Sequence, residues 1–136
     1  MTALNLITLS VGQLFNQHLE HCKEWKPATL LRWVEWFVVK KRYWTVVRNG
    51  ELVGAALVRF VDDEEGCRTD YMDTGGKVCF VDATVTQGDD VMRELYTKMF
   101  NDIGHRAETM AWVRPKHDNK IICVPMERAR RRLIKG

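Results

Sequence analysis

Two spacings of apolar residues alternate along the chain. Residues 3–9, ALNLITL, are short, apolar and partly alternating, and they predict a first strand. Ser10 with Gln13 then makes a capping box, and Val11, Leu14, Phe15, His18, Leu19 and Cys22 recur at the spacing of one helical face. Pro27 suits the first turn of a second helix. Its apolar stripe is Leu30, Trp33, Val34, Phe37 and Val38, and the basic run at 40–42 favours its C-terminal end.

The next segment, YWTVVRNGELVGAALVRFV, holds two β-rich runs joined by Asn49-Gly50, a pair that tolerates positive φ at both central positions of a type I′ hairpin turn. An acidic loop, DDEEG, follows. CRTDYMDTGG is ambiguous and is read as a strand ending in a glycine turn. KVCFVDATVT reads as a strand, and Val91, Met92, Leu95, Tyr96, Met99, Phe100 and Ile103 mark a helix stopped by Gly104 at its C′ position. AETMAWV and KIICV read as strands around a polar turn, RPKHDN, and Pro125 opens a short basic helix spanning 125–136. The predicted order is β-α-α-β-β-β-α-β-β-α. Without repeat or linker, it describes one α+β domain, residues 1–136, with a mixed, mainly antiparallel central sheet and helices on both faces.

A chain of 136 residues is long enough to bury an independent core. Cys22, Cys67, Cys79 and Cys123 lie far apart, without metal-site or redox spacing, so no metal is expected. Cys22, Cys79 and Cys123 sit among apolar residues and read as buried thiols in a reducing compartment. Neither a basic leader nor a membrane-length apolar run is present, which points to the cytoplasm and away from a membrane. The formal charge of +3 is unevenly spread. Its basic extreme, RARRR at 128–132, would project Arg128, Arg130, Arg131 and Arg132 away from an apolar side formed by Met126, Ala129 and Leu133. Such a face is either a solvated terminal helix or a contact for nucleic acid or another anion.

Residues 80–100, FVDATVTQGDDVMRELYTKMF, run from strand to helix through a turn containing Gly88. Together with the ELVGAALV hairpin some thirty residues earlier, this order resembles the GNAT superfamily of acyl-CoA N-acyltransferases over about residues 3–113. The resemblance implies acetyl-CoA as cofactor. Its pantetheine would pair with the strand at Ala83, Thr84 and Val85, and its pyrophosphate would lie on the family's Q/R-x-x-G-x-G/A turn, here Gln87, Gly88, Asp89, Asp90, Val91 and Met92. The family keeps two of those positions small because backbone N–H groups at a helix N-terminus must approach the phosphates closely. This chain has Asp90 and Met92 there. Asp89 and Asp90 also have a plain structural reading, as acidic residues that favour the positive end of the helix dipole and cap its free amides.

Acyl transfer to an amine requires a base and an acid. The resemblance points to Asp82, a carboxylate inside an apolar strand, as the base; paired with an arginine or solvated, it would be structural instead. The family's tyrosine acid lies on a helix after the next strand, where this chain has a hairpin. Tyr96 is the substitute donor or, at helical spacing with Met92 and Met99, a core residue with its hydroxyl at the edge. His18 reads as a core or edge histidine, and His21, His105 and His117 as exposed. Trp36, which cannot share the core stripe fully with Trp33, lines a groove or packs at the core edge. Two functions therefore stand: an acetyl-CoA-dependent N-acyltransferase of unknown acceptor, or a catalytically inactive GNAT-fold module, of a phage or mobile element for example, that contacts protein or nucleic acid. An unrelated nucleic-acid-binding α+β domain is a third.

Overall fold

The computed structural model describes residues 2–114 and 118–134. The chain opens with a helix, α1 (Ala3–His18), and not with a strand. Thr2 sets its start by accepting a hydrogen bond from the Asn5 amide at 3.2 Å. Ile7, Thr8, Val11, Leu14 and Phe15 turn inward, while Leu6 and Leu9, whose alternation suggested a strand, are 55% and 41% exposed. The predicted capping box at Ser10 consequently falls inside a continuous helix.

A short α2 (Glu20–Lys23) leads to α3 (Pro27–Val39), where proline occupies the first turn and Leu30, Val34, Phe37 and Val38 are buried. Strands β1 (Tyr43–Arg48) and β2 (Glu51–Val61) form the expected hairpin, with φ of 53° at Asn49 and 79° at Gly50. The acidic loop contains a one-turn helix, α4 (Glu64–Arg68), closed by Asp63 Oδ1 accepting from the Gly66 amide at 2.9 Å. No strand forms between it and β3 (Val78–Thr86). Then follow α5 (Asp89–Ile103), β4 (Thr109–Arg114), β5 (Lys120–Pro125) and α6 (Met126–Ile134). Pro125 thus closes β5 and does not open the last helix.

The sheet order is β1-β2-β3-β4-β5, parallel between β3 and β4 and antiparallel elsewhere. Helices α1 and α3 cover one face, packing on Ala55, Leu57, Ala83 and Val85. Helices α5 and α6 cover the other, on Ala56, Val58, Cys79 and Val81. Close approach of α5 is allowed by Gly54, where an added Cβ would lie 2.8 Å from Val91 Cγ1. Cys22, Cys67 and Cys79 are buried, but Cys123, on the edge strand β5, is exposed. No described helix is long and apolar enough to cross a membrane.

Candidate active site

The register of β3 changes at one residue. Leu57 pairs with Ala83 and Val58 with Val81, which leaves Asp82 as the extra residue of a β-bulge. Because side chains alternate along a strand, the insertion exchanges the two faces. Below it Cys79 and Val81 join the α5 core, and above it Ala83 and Val85 join the α1–α3 core. At the same level β3 parts from β4. Their parallel pairing covers Val78 with Thr109, Cys79 with Met110 and Phe80 with Ala111, and goes no further. Beyond Phe80, the peptide groups of β3 that face β4 have no strand to pair with.

A cavity of about 1240 Å³ occupies this divergence. Its walls come from both faces of the sheet. On one side are Leu19, Glu20 and His21 with Trp25 and Trp33; on the other are Tyr96 of α5 and Ala129, Arg132 and Leu133 of α6. Phe80 to Thr84 and Trp112 to Arg114 form the edges of the gap itself. The volume exceeds that of common single-ligand pockets, about 300–1,000 Å³, and leaves room for two reactants.

Asp82 faces this cavity and is also paired, as one of its two sequence readings required. Arg59 Nε donates to Asp82 Oδ2 at 2.8 Å, and the Arg59 side chain is only 3% exposed. The guanidinium reaches the carbonyls of Gly66, Thr69 and Met72 through Nη1 and of Cys67 through Nη2, and stacks over Phe80 with 5.2 Å to the ring centroid. One buried arginine therefore ties the loop after α4 to the bulge. Burial pushes the Asp82 carboxyl up to about 6, against the hydrogen bond and charge of Arg59, which hold it down. Oδ1 makes no hydrogen bond among the described residues.

Tyr96 is buried and lines the same cavity, so its two sequence readings coincide in one residue. Burial holds its phenol above the ordinary value, partly offset by the nearby Thr84 hydroxyl. Thr84 Oγ1 is itself buried and makes no hydrogen bond of standard geometry, so the two hydroxyls interact without a formed bond.

The remaining candidates are dispersed. Ala83 and Thr84 line the cavity, while Val85 and Val91 are buried and Met92 packs against the α5 core. The Gln87 amide donates to the Val53 carbonyl at 2.9 Å, and its side chain meets His18 Nε2 at 3.0 Å. Gly88 begins α5 with φ of 115°, in the region that favours glycine. Asp89 and Asp90 are exposed in the first turn, and neither side chain forms a capping hydrogen bond among the described residues. Of the arginines on α6, Arg132 lines the cavity, Arg130 stacks over Phe100 at 5.6 Å, and Arg128 and Arg131 are exposed. His21 and His105 are exposed as expected; His117 lies outside the described residues. Trp36 packs at the core edge against Phe37 and Tyr71.

Sequence reasoning missed Arg59, Trp25, Trp33 and Trp112. An arginine within the apolar run GAALVRFV was the available signal for the first, since a charge is rarely fully buried without a partner. No group of metal ligands occurs among the described residues.

No family model and no curated protein matches the sequence. Solved structures do match the fold. A proposed acetyltransferase from Staphylococcus aureus Mu50 superposes with a TM-score of 0.54 at 16% identity, over 82% of this chain and 75% of that one. The loading GNATL domain of CurA from Lyngbya majuscula gives 0.46 at 15% identity, over 84% of this chain and 62% of that one. An N-acetyltransferase from Staphylococcus aureus Mu50 gives 0.45 at 11% identity, over 80% and 75%. The chain has a GNAT fold.

Proposed function

We propose that the protein is an acetyl-CoA-dependent N-acyltransferase of the cytoplasm. The observation that carries this reading is the divergence of β3 from β4 beside a cavity onto which Asp82 and Tyr96 both open. The residues fit such a ligand in part. The unpaired edge of β3 can hydrogen-bond an extended amide-bearing arm, and Arg132 with the free first-turn amides of α5 can meet phosphates. The carboxylates of Asp89 and Asp90 oppose that last contact.

Acetyl-CoA, when bound, supplies an acyl thioester. Asp82, with its carboxyl pushed up to about 6, is ionised at neutral pH and still basic enough to take the proton from an incoming ammonium, leaving the neutral amine to bond to the acyl carbon. Arg59 holds the carboxylate in place, so Oδ1 faces the substrate. Tyr96 keeps its proton at neutral pH and can pass it to the sulfur as the carbon–sulfur bond breaks. The ammonium thus loses one proton to Asp82 before attack and a second, after the carbon–nitrogen bond forms, to the tyrosinate left when the phenol proton goes to sulfur; this restores Tyr96, and Asp82 returns its proton to solvent.

The two acidic residues at the head of α5 favour a second reading, a GNAT-fold module without catalysis that contacts protein or nucleic acid through α6. Titration with acetyl-CoA separates the two. At a hundred times its dissociation constant a ligand should add about 2.7 kcal/mol to unfolding stability. An unchanged melting temperature at millimolar acetyl-CoA would remove the transferase reading.

A further inference from the structure

The two ends of the cavity differ in charge and in chemistry. Arg132 and Arg114 stand on the α6 and β4 side, where a phosphate-bearing donor is favoured. The opposite end is aromatic and acidic. Trp25 and Trp33 meet edge to face there, centroids 5.1 Å apart at 80°, with Glu20 and His21 beside them and Asp70 on the facing loop. We propose that this end holds the acceptor as a cationic primary amine carried on an aromatic body, the indoles of Trp25 and Trp33 taking the body and Asp82 the ammonium.

Several observations carry the assignment. Cationic side chains lie over Trp36, Phe60, Phe80 and Phe100, yet none of the described residues places a cation over Trp25 or Trp33. Both indoles are half-buried walls of the cavity, and the surface left to them can pack an aromatic body. The local charge has the matching sign. Glu20 and Asp70 are exposed, and burial lowers the His21 imidazole, so it adds no positive charge at neutral pH. Arg59 is already committed to Asp82 and four carbonyls. Of the remaining cations nearby, Lys23 reaches Glu20 at 3.4 Å and Arg68 reaches Glu64 at 3.4 Å, both tethered to carboxylates of their own helices. An acidic acceptor would meet Asp70 and Asp82 together. A short alkyl amine would satisfy Asp82 but leave the indoles uncovered.

This assignment rests on the acyltransferase reading for its reaction, while its binding step can be measured alone. The probes are phenethylamine, butylamine of equal charge and neutral 2-phenylethanol, each titrated by calorimetry and tryptophan fluorescence into the full chain, with and without acetyl-CoA. Phenethylamine should bind about tenfold tighter than butylamine, through packing of its ring on the indoles, and about tenfold tighter than 2-phenylethanol, through pairing of its ammonium with Asp82. Trp25→Leu should erase the preference over butylamine, keep that over 2-phenylethanol, and leave acetyl-CoA binding in place. Trp33 contacts Phe15 and Phe37, so its own replacement is less informative than the comparison of ligands on the unaltered protein. Equal affinities for the three probes, or a preference over butylamine that survives in Trp25→Leu, would overturn the proposal. If acetyl-CoA binds and phenethylamine does not, the acceptor assignment fails and the transferase reading stands. If phenethylamine binds with the stated preference and acetyl-CoA does not, the amine site stands and the transferase reading falls.

Discussion

Arg59 has the highest structural stake of any single residue, because its guanidinium is buried and every group that it touches loses a partner when it is removed. Arg59→Met should cost about 3–5 kcal/mol in urea unfolding, the range for breaking a buried ion pair from one side. A loss under 1 kcal/mol would mean that the loop after α4 is held by something else. Asp82 has the opposite linkage to pH from an ordinary salt-bridged carboxylate. Its folded value, about 6, lies above the unfolded 3.8, so the folded protein binds the proton more readily. Its contribution to stability is therefore fully present below 3.8 and is lost as pH rises through about 6. Relative to Asp82→Asn, the unaltered protein should lose melting temperature between those limits, as scanning calorimetry at several pH values can show. Activity should move the other way, rising with pH through about 6 as the base ionises, and Asp82→Asn should abolish that limb.

At the scale of elements, the proposed transferase reading puts the phosphates of its cofactor at the start of α5. Asp90→Asn removes a carboxylate from the first turn and keeps its volume. Acetyl-CoA affinity should rise about fivefold at low salt, equivalent to about 1 kcal/mol of relieved repulsion, and the gain should shrink at high salt. Arg132→Ala should weaken it with the opposite salt trend. Unchanged affinity in both variants would place the phosphates elsewhere. Elements were unevenly legible in the sequence. The hairpin announced itself through Asn49-Gly50, and α5 through the regular spacing from Val91 to Ile103. Residues 3–9 imitate a strand because Leu6 and Leu9 put apolar side chains on the exposed face of the helix. The helical spacing of Ile7, Thr8, Val11, Leu14 and Phe15 was there, interrupted on paper by a polar threonine that the fold buries. One-turn α4 is too short for any periodicity, and only its Asp63 cap could have marked it.

Across the whole molecule, the order of elements implied the mixed sheet, but nothing in that order says where two strands separate. The gap between β3 and β4 depends on pairing between residues some thirty positions apart, and Asp82 looks like any other residue of an alternating strand until its partners on β2 are known. Hydrogen exchange can test the arrangement. Amides of β3 that face β4 should exchange faster from Val81 to Thr86 than from Val78 to Phe80, and acetyl-CoA should protect the upper set alone. Uniform protection along the strand before ligand is added would contradict an open divergence. The bulge also limits how the protein can be remodelled. Deleting residue 82 would let Ala83 follow Val81 in regular alternation and keep both on their present faces, whereas deleting Thr84 would turn Val85 toward α5 and carry Thr86 into the layer below α3. A loss of one codon is thus absorbed at the bulge but, two codons later, would exchange the wetting properties of two compartments at once, a change that no set of conservative substitutions nearby would reverse.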